Sequence, residues 1–228
     1  MLVQSQKGNA DAVWNLLKNG ADPNSPPGPN DKGMTALMFA CWKGNDVIVK
    51  MLVDAGADVN AVSATGATPL IFAANAGKQE MVNFLLAKGA RTDAKVMGHT
   101  PALVYALKSK NPQMVAAIAK QSSPEILNLK NKKGETFLLS AIKANNLDFV
   151  KALLSGKQNL EEVDKFGQTA LMYASRFGRT KILINLLNNG ANPNTKDQNG
   201  ITALTKAALS KNKEVQMTLI KRGGRGKK

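Results

Sequence analysis

Apolar positions along this chain recur with a long fixed period. Leu37, Leu70, Leu103, Leu138, Leu171 and Leu204 stand 33, 33, 35, 33 and 33 residues apart. Most of them lie in a short apolar phrase: GMTALMFACWKG from Gly33, GATPLIFAANAG from Gly66, GETFLLSAIKAN from Gly134, GQTALMYASRFG from Gly167 and GITALTKAALSK from Gly200. Each phrase predicts a helix. Thr35, Thr68, Thr136, Thr169 and Thr202 stand where a hydroxyl caps the first amides, and Pro69 suits a first helical turn. Ala40, Ala73, Ala141, Ala174 and Ala207 are small enough to let neighbouring helices close on one another. A second apolar stripe follows, marked by Leu52-Val53, Leu85-Leu86, Leu153-Leu154, Leu186-Leu187 and Leu219-Ile220. Gly20, Gly56, Gly89 and Gly190 then stand where a helix ends in left-handed backbone.

Two short helices cannot bury their apolar faces alone, so the copies must stack. The period places units near residues 1–32, 33–65, 66–97, 98–133, 134–166, 167–199 and 200–221, read as one all-α domain over 1–221 with a basic tail at 222–228. Turn phrases NGADPN from Asn19, AGADVN from Ala55 and NGANPN from Asn189 lead from one unit to the next. This pattern resembles the ankyrin repeat over nearly the whole chain, with the family's Thr-Pro-Leu intact at Thr68, Pro69 and Leu70. The resemblance implies a solenoid of helix-turn-helix units with short hairpin-like loops.

The departures are local. The family's histidine after Thr-Pro-Leu is replaced by Met38, Ile71, Val104, Leu139, Met172 and Thr205. The third unit, GHTPALVYALKSKN, carries one extra residue near Pro101, and its Gly-Ala turn gives way to QSSPEILNLKNKK. The fourth reads GKQNLEEVDKF from Gly156, and residues 25–32 (SPPGPNDK) make a long Pro-rich connection. The first unit has only residues 1–7 before Gly8 and no capping threonine, so the natural chain is expected to begin further upstream. The tail RGGRGKK reads as unstructured. The periplasm, after loss of a leader, and the cytoplasm both remain open as compartments.

Charge sharpens the picture. The 228 residues carry a formal net charge of +15, of which residues 1–98 supply +1 and residues 99–228 supply +14. So lopsided a distribution points to an acidic partner. The 43% hydrophobic content excludes wholesale disorder, and no apolar run is long enough to span a bilayer. One cysteine and one histidine exclude an internal disulfide and the usual zinc sets, and no phosphate-binding or nucleophile motif is present. The chain reads as a non-enzyme with no cofactor or metal and no catalytic residue. Cys41 falls on a buried small-residue position, and His99 on a solvated loop. Met81, Met114, Met217, Tyr105 and Tyr173 read as packing residues.

The resemblance implies binding through loop tips and the inner face of the first helices, a concave surface. Carried over position by position, that selects Trp42, Lys43, Lys108, Lys132, Lys133, Lys143, Lys165, Phe166, Arg176 and Phe177. Aromatics beside Lys and Arg, free of packing duty, make the composition of a protein-binding hot spot. Recognition is expected to concentrate on the third to fifth units, with Trp42 as an outlying anchor. The expected function is a protein-binding module, monomeric when free, that grips and can inhibit an acidic partner protein. The chain also looks like bacterial ankyrin proteins that neutralise peptidoglycan hydrolases of the endopeptidase class, although no motif carries that likeness. Nucleic-acid binding and an effector scaffold delivered into another cell are the alternatives.

Overall fold

A computed structural model describes residues 1–226 of the chain. It falls into two compact units, Met1–Ile118 and Ala119–Lys228. The first holds α1 (Leu2–Lys7), α2 (Ala10–Lys18), α3 (Ala36–Lys43), α4 (Asp46–Asp54), α5 (Pro69–Asn75), α6 (Gln79–Ala87), strands β1 (Lys95–Val96) and β2 (Thr100–Pro101), then α7 (Ala102–Lys108). The division falls inside α8 (Pro112–Gln121). The second unit holds α9 (Pro124–Leu127), α10 (Phe137–Lys143), α11 (Leu147–Leu154), α12 (Ala170–Arg176), α13 (Thr180–Asn188), α14 (Ala203–Leu209) and α15 (Lys213–Lys221).

The capping threonines work as the sequence predicts in four of five copies. Thr35, Thr136, Thr169 and Thr202 accept from the amides of Met38, Leu139, Met172 and Thr205. Thr68 makes no such bond, and Pro69 starts α5 instead. Asn9, Asn45 and Asn146 cap three of the second helices in the same way. In the first unit α3 packs between α1 and α5, and α5 against α7. In the second unit α12 packs between α10 and α14. The core lies between these first helices and the second helices behind them. Leu37, Leu70, Leu103, Leu138, Leu171, Leu52, Leu85, Leu153, Leu186 and Leu219 are all buried. Burying side chains of this size stabilises by roughly 1.5–3 kcal/mol each.

An asparagine ties each regular turn to the next. Asn24 accepts from the Asp58 amide at 2.8 Å and donates to the Gly56 carbonyl at 2.9 Å. Asn60 does the same with Arg91 and Gly89, and Asn194 with Arg225 and Gly223. Thr202 also donates to the Arg225 carbonyl, and the Arg222 guanidinium to Asn188. Residues 222–225, read from sequence as the start of a loose tail, are therefore held as the opening of a further turn. Lys227 and Lys228 lie outside the described residues.

The third copy's extra residue goes into a hairpin, with Lys95 paired to Pro101 and Val96 to Thr100. Pro101 takes the capping position and leaves α7 without a side-chain cap. Where the Gly-Ala turn is lost, α9 buries Ile126 and Leu127 instead. A Cβ on Gly156 would meet the Ala119 carbonyl at 2.5 Å, so only glycine fits there.

Three residues assigned to packing behave differently. Met217 is 59% exposed and Ile220 60% exposed, because α15 packs on α13 and α14 through Val215 and Leu219 and no described helix covers its other side. Tyr105 is half-buried, its ring lying under the Lys108 ammonium. Met81, Met114 and Tyr173 are buried as expected.

Candidate partner-binding surface

In the second unit the loop before each first helix is closed by one side chain. Asn131 accepts from the amides of Lys133 and Glu135. Asp164 accepts from those of Phe166 and Gln168, and Asp197 from those of Asn199 and Ile201. The side chains at the loop tips, Lys132, Lys133, Lys165 and Phe166, point to no packing role and are exposed. Phe166 is 52% exposed.

The free lone pairs of these loop carboxylates reach the following helix. Asp164 accepts from the Tyr173 phenol at 2.6 Å, and Lys206 sets its ammonium 2.7 Å from Asp197. Glu135 takes the Lys143 ammonium at 2.6 Å. Each loop is thus tied to the helix that follows it. Burial pushes the Asp164 carboxyl up, but the Tyr173 hydroxyl and the two loop amides outweigh it and leave the group below its ordinary value. Burial likewise acts on Asp197, and Lys206 with its amides again brings the net shift down. Burial, then Asp164, raise the Tyr173 phenol. The Glu135 carboxylate raises Lys143, and Lys143 lowers Glu135.

Around this frame the cations lie on rings. Lys143 sits 4.6 Å over Tyr173, Lys165 5.0 Å over Phe166, and the Arg176 guanidinium 5.9 Å over Phe177. Phe177 in turn packs on Tyr173 at 5.9 Å. Such contacts hold a cation in place at roughly 0.5–1 kcal/mol in exposed positions. The structure brings Lys143, Arg176 and Phe177 together through Tyr173, and joins Lys165 and Phe166 to them through Asp164. Lys132 and Lys133 share the loop tip before α10, with no ion pair among the described residues.

In the first unit, Trp42 is exposed, carries Lys43 at 5.0 Å, and packs on Phe39 at 6.4 Å. Lys108 lies 5.4 Å over Tyr105. Tyr173 and Asp164 are the residues that sequence reading missed. The repeat itself points to Tyr173, since Phe39, Phe72, Tyr105, Ser140, Tyr173 and Lys206 occupy one column of the period. Cys41 is fully buried, and burial followed by the charge of Asp46 keeps its thiol protonated, far from a nucleophile's range. His99 is exposed beside the hairpin tip. No helix among the described residues is long and apolar enough to cross a membrane.

Comparison with known proteins agrees with this architecture. The family model described as "Ankyrin repeats (3 copies)" matches residues 58–128 and 103–197, and that described as "Ankyrin repeats (many copies)" matches residues 16–73. Among solved structures, the chain is similar to the ankyrin repeat domain of Bcl-3, a member of the IkappaB protein family. That match has a TM-score of 0.69 at 22% identity and covers 96% of each chain. It is also similar to the human ASB11 ankyrin repeat domain, with a TM-score of 0.59 at 26% identity, over 97% of this chain and 96% of that one. These matches lend no support to the likeness to endopeptidase-neutralising bacterial proteins.

Proposed function

The chain belongs to the ankyrin-repeat family, whose repeats mediate protein–protein interaction, and on that premise we propose that it binds an acidic partner protein through the basic face of its second unit. The single observation that carries this reading is the pair of cation–ring contacts, Lys165 on Phe166 and Arg176 on Phe177. Neither cation has a carboxylate partner among the described residues, although Lys143 and Lys206 on the same face do. A charge already oriented over an exposed ring, with no counterion, favours a partner that brings both an anion and apolar surface. Trp42 with Lys43 is a secondary contact in the first unit. A partner covered in this way would have any site beneath the contact blocked, so its own activity with and without the chain is a second readout.

The test is affinity capture of partners with the natural chain, in parallel with Arg176→Glu and Phe177→Ala, followed by mass spectrometry. A protein retained by the natural chain, lost with both variants and released by salt supports the reading. Equal retention by all three overturns it. Comparable affinity for unrelated duplex DNA at physiological salt would favour phosphate binding instead.

A further inference from the structure

Two successive repeats of the second unit carry the same pair of positions, one in the loop before the first helix and one at that helix's end, with different chemistry. Glu135 stands eight residues before Lys143, and their ion pair closes at 2.6 Å. One repeat later Gln168 replaces the glutamate and Arg176 the lysine. The carboxylate has become a neutral amide. The Gln168 Oε1 is buried and has no hydrogen-bond partner among the described residues, and the Arg176 guanidinium has no carboxylate. Arginine presents a planar fork suited to two carboxylate oxygens, which a lysine does not.

We infer that Arg176 is the receptor for a carboxylate supplied by the partner, which takes the place that Glu135 fills at Lys143, with the partner's adjoining apolar side chain resting on Phe177 and Phe166. This rests on the reading of the face given above and names its ligand: an acidic peptide segment in which carboxylates flank an apolar residue. Arg176 lies 5.9 Å over the Phe177 ring, so ion pairing and apolar contact fall at one place. Lys165, oriented over Phe166, supplies the second cation. Lys143 is not available in the same way, because Glu135 already occupies it.

The claim makes two changes act in opposite directions. Gln168→Glu puts a carboxylate where the repeat places one at Lys143, so it competes with the ligand inside the chain. Glu135→Gln frees Lys143 and gives the ligand another cation. The probe is a short synthetic peptide with glutamates on either side of a single leucine, its glutamine counterpart serving as control, with affinities read by calorimetry on the full chain. Loss of one charge-assisted contact corresponds to about tenfold in affinity. Gln168→Glu is expected to bind the peptide about tenfold more weakly with an unchanged or higher melting temperature, and Glu135→Gln more tightly than the natural chain. If Arg176→Glu abolishes binding but Gln168→Glu and Glu135→Gln both stay within twofold, the basic face stands and the carboxylate receptor falls. If the peptide binds none of the proteins, or binds no better than its glutamine control, both readings fall. Binding that survives Arg176→Glu and disappears with Lys43→Glu moves the site to the first unit and overturns the inference.

Discussion

The phenol of Tyr173 donates to Asp164 at 2.6 Å, while the other oxygen of the same carboxylate accepts the Phe166 and Gln168 amides. One side chain therefore fixes both the loop tip that displays Phe166 and the ring on which Phe177 packs. Asp164→Ala is expected to lower stability by about 2 kcal/mol, the cost of buried polar groups left unpaired, measured by urea unfolding. Asp164→Asn should cost less, because Asn131 already closes the preceding loop with the same amide bonds.

The Asp197–Lys206 pair is the least exposed ion pair among the described residues, with the Asp197 side chain 1% exposed. Lys206→Met strands a buried carboxylate and should destabilise by about 3 kcal/mol at neutral pH. In the natural chain the folded-state carboxyl is depressed below its unfolded value. Its contribution is therefore present above about pH 4 and lost as pH falls further, through the folded-state value. In the variant burial acts unopposed by the ammonium. The gap between the two proteins should narrow on acidification, as urea unfolding at a series of pH values will show.

Arg176→Glu and Phe177→Ala should each weaken partner binding by on the order of 2 kcal/mol, the scale of an interface anchor. Arg176→Glu should leave stability within roughly 0.5 kcal/mol, since the side chain is exposed and makes no ion pair among the described residues. Phe177→Ala also gives up the Tyr173 contact, at roughly 0.5–1.5 kcal/mol. A binding loss no larger than the stability loss would argue against a direct contact.

Affinity for the partner should fall steeply as ionic strength rises, since exposed charges are screened beyond roughly 10 Å at 0.1 M salt. An affinity flat across the salt range would indicate an apolar interface around Phe166 and Phe177 alone.

Asn194→Ala removes both bonds to residues 223 and 225. Hydrogen exchange at the Arg225 amide, which loses its acceptor, should accelerate, with a stability loss of about 1 kcal/mol. Unchanged exchange would mean that the Thr202, Arg222 and Gly224 bonds hold the segment without Asn194.

The repeating period made the architecture legible from sequence, because capping threonines, alanines and left-handed glycines each answer to local backbone demands. Pro101 shows where that reasoning stops. The extra residue was visible, but its absorption into a hairpin depends on pairing across the loop. Ile220 and Met217 look like the core residues of other copies and are exposed because burial is a property of neighbours, not of pattern. The candidate surface was legible as positions. The roles of Asp164 and Tyr173 were not, since a tyrosine in a helix reads as packing until its hydroxyl is seen to have a partner.

The loop closures at Asn131, Asp164 and Asp197 separate form from vocabulary. Each draws its strength from two backbone amides, which any residue but proline supplies, and of the tip side chains Gln198 adds a bond to the Lys165 carbonyl. Lys132-Lys133, Lys165-Phe166 and Gln198-Asn199 are three different words on the same frame. Transplanting Lys165-Phe166 into the tip at residues 198 and 199 should move a recognition element one repeat along without rebuilding the loop, and a lineage of such chains could change partners by rewriting tips while its helices stand still.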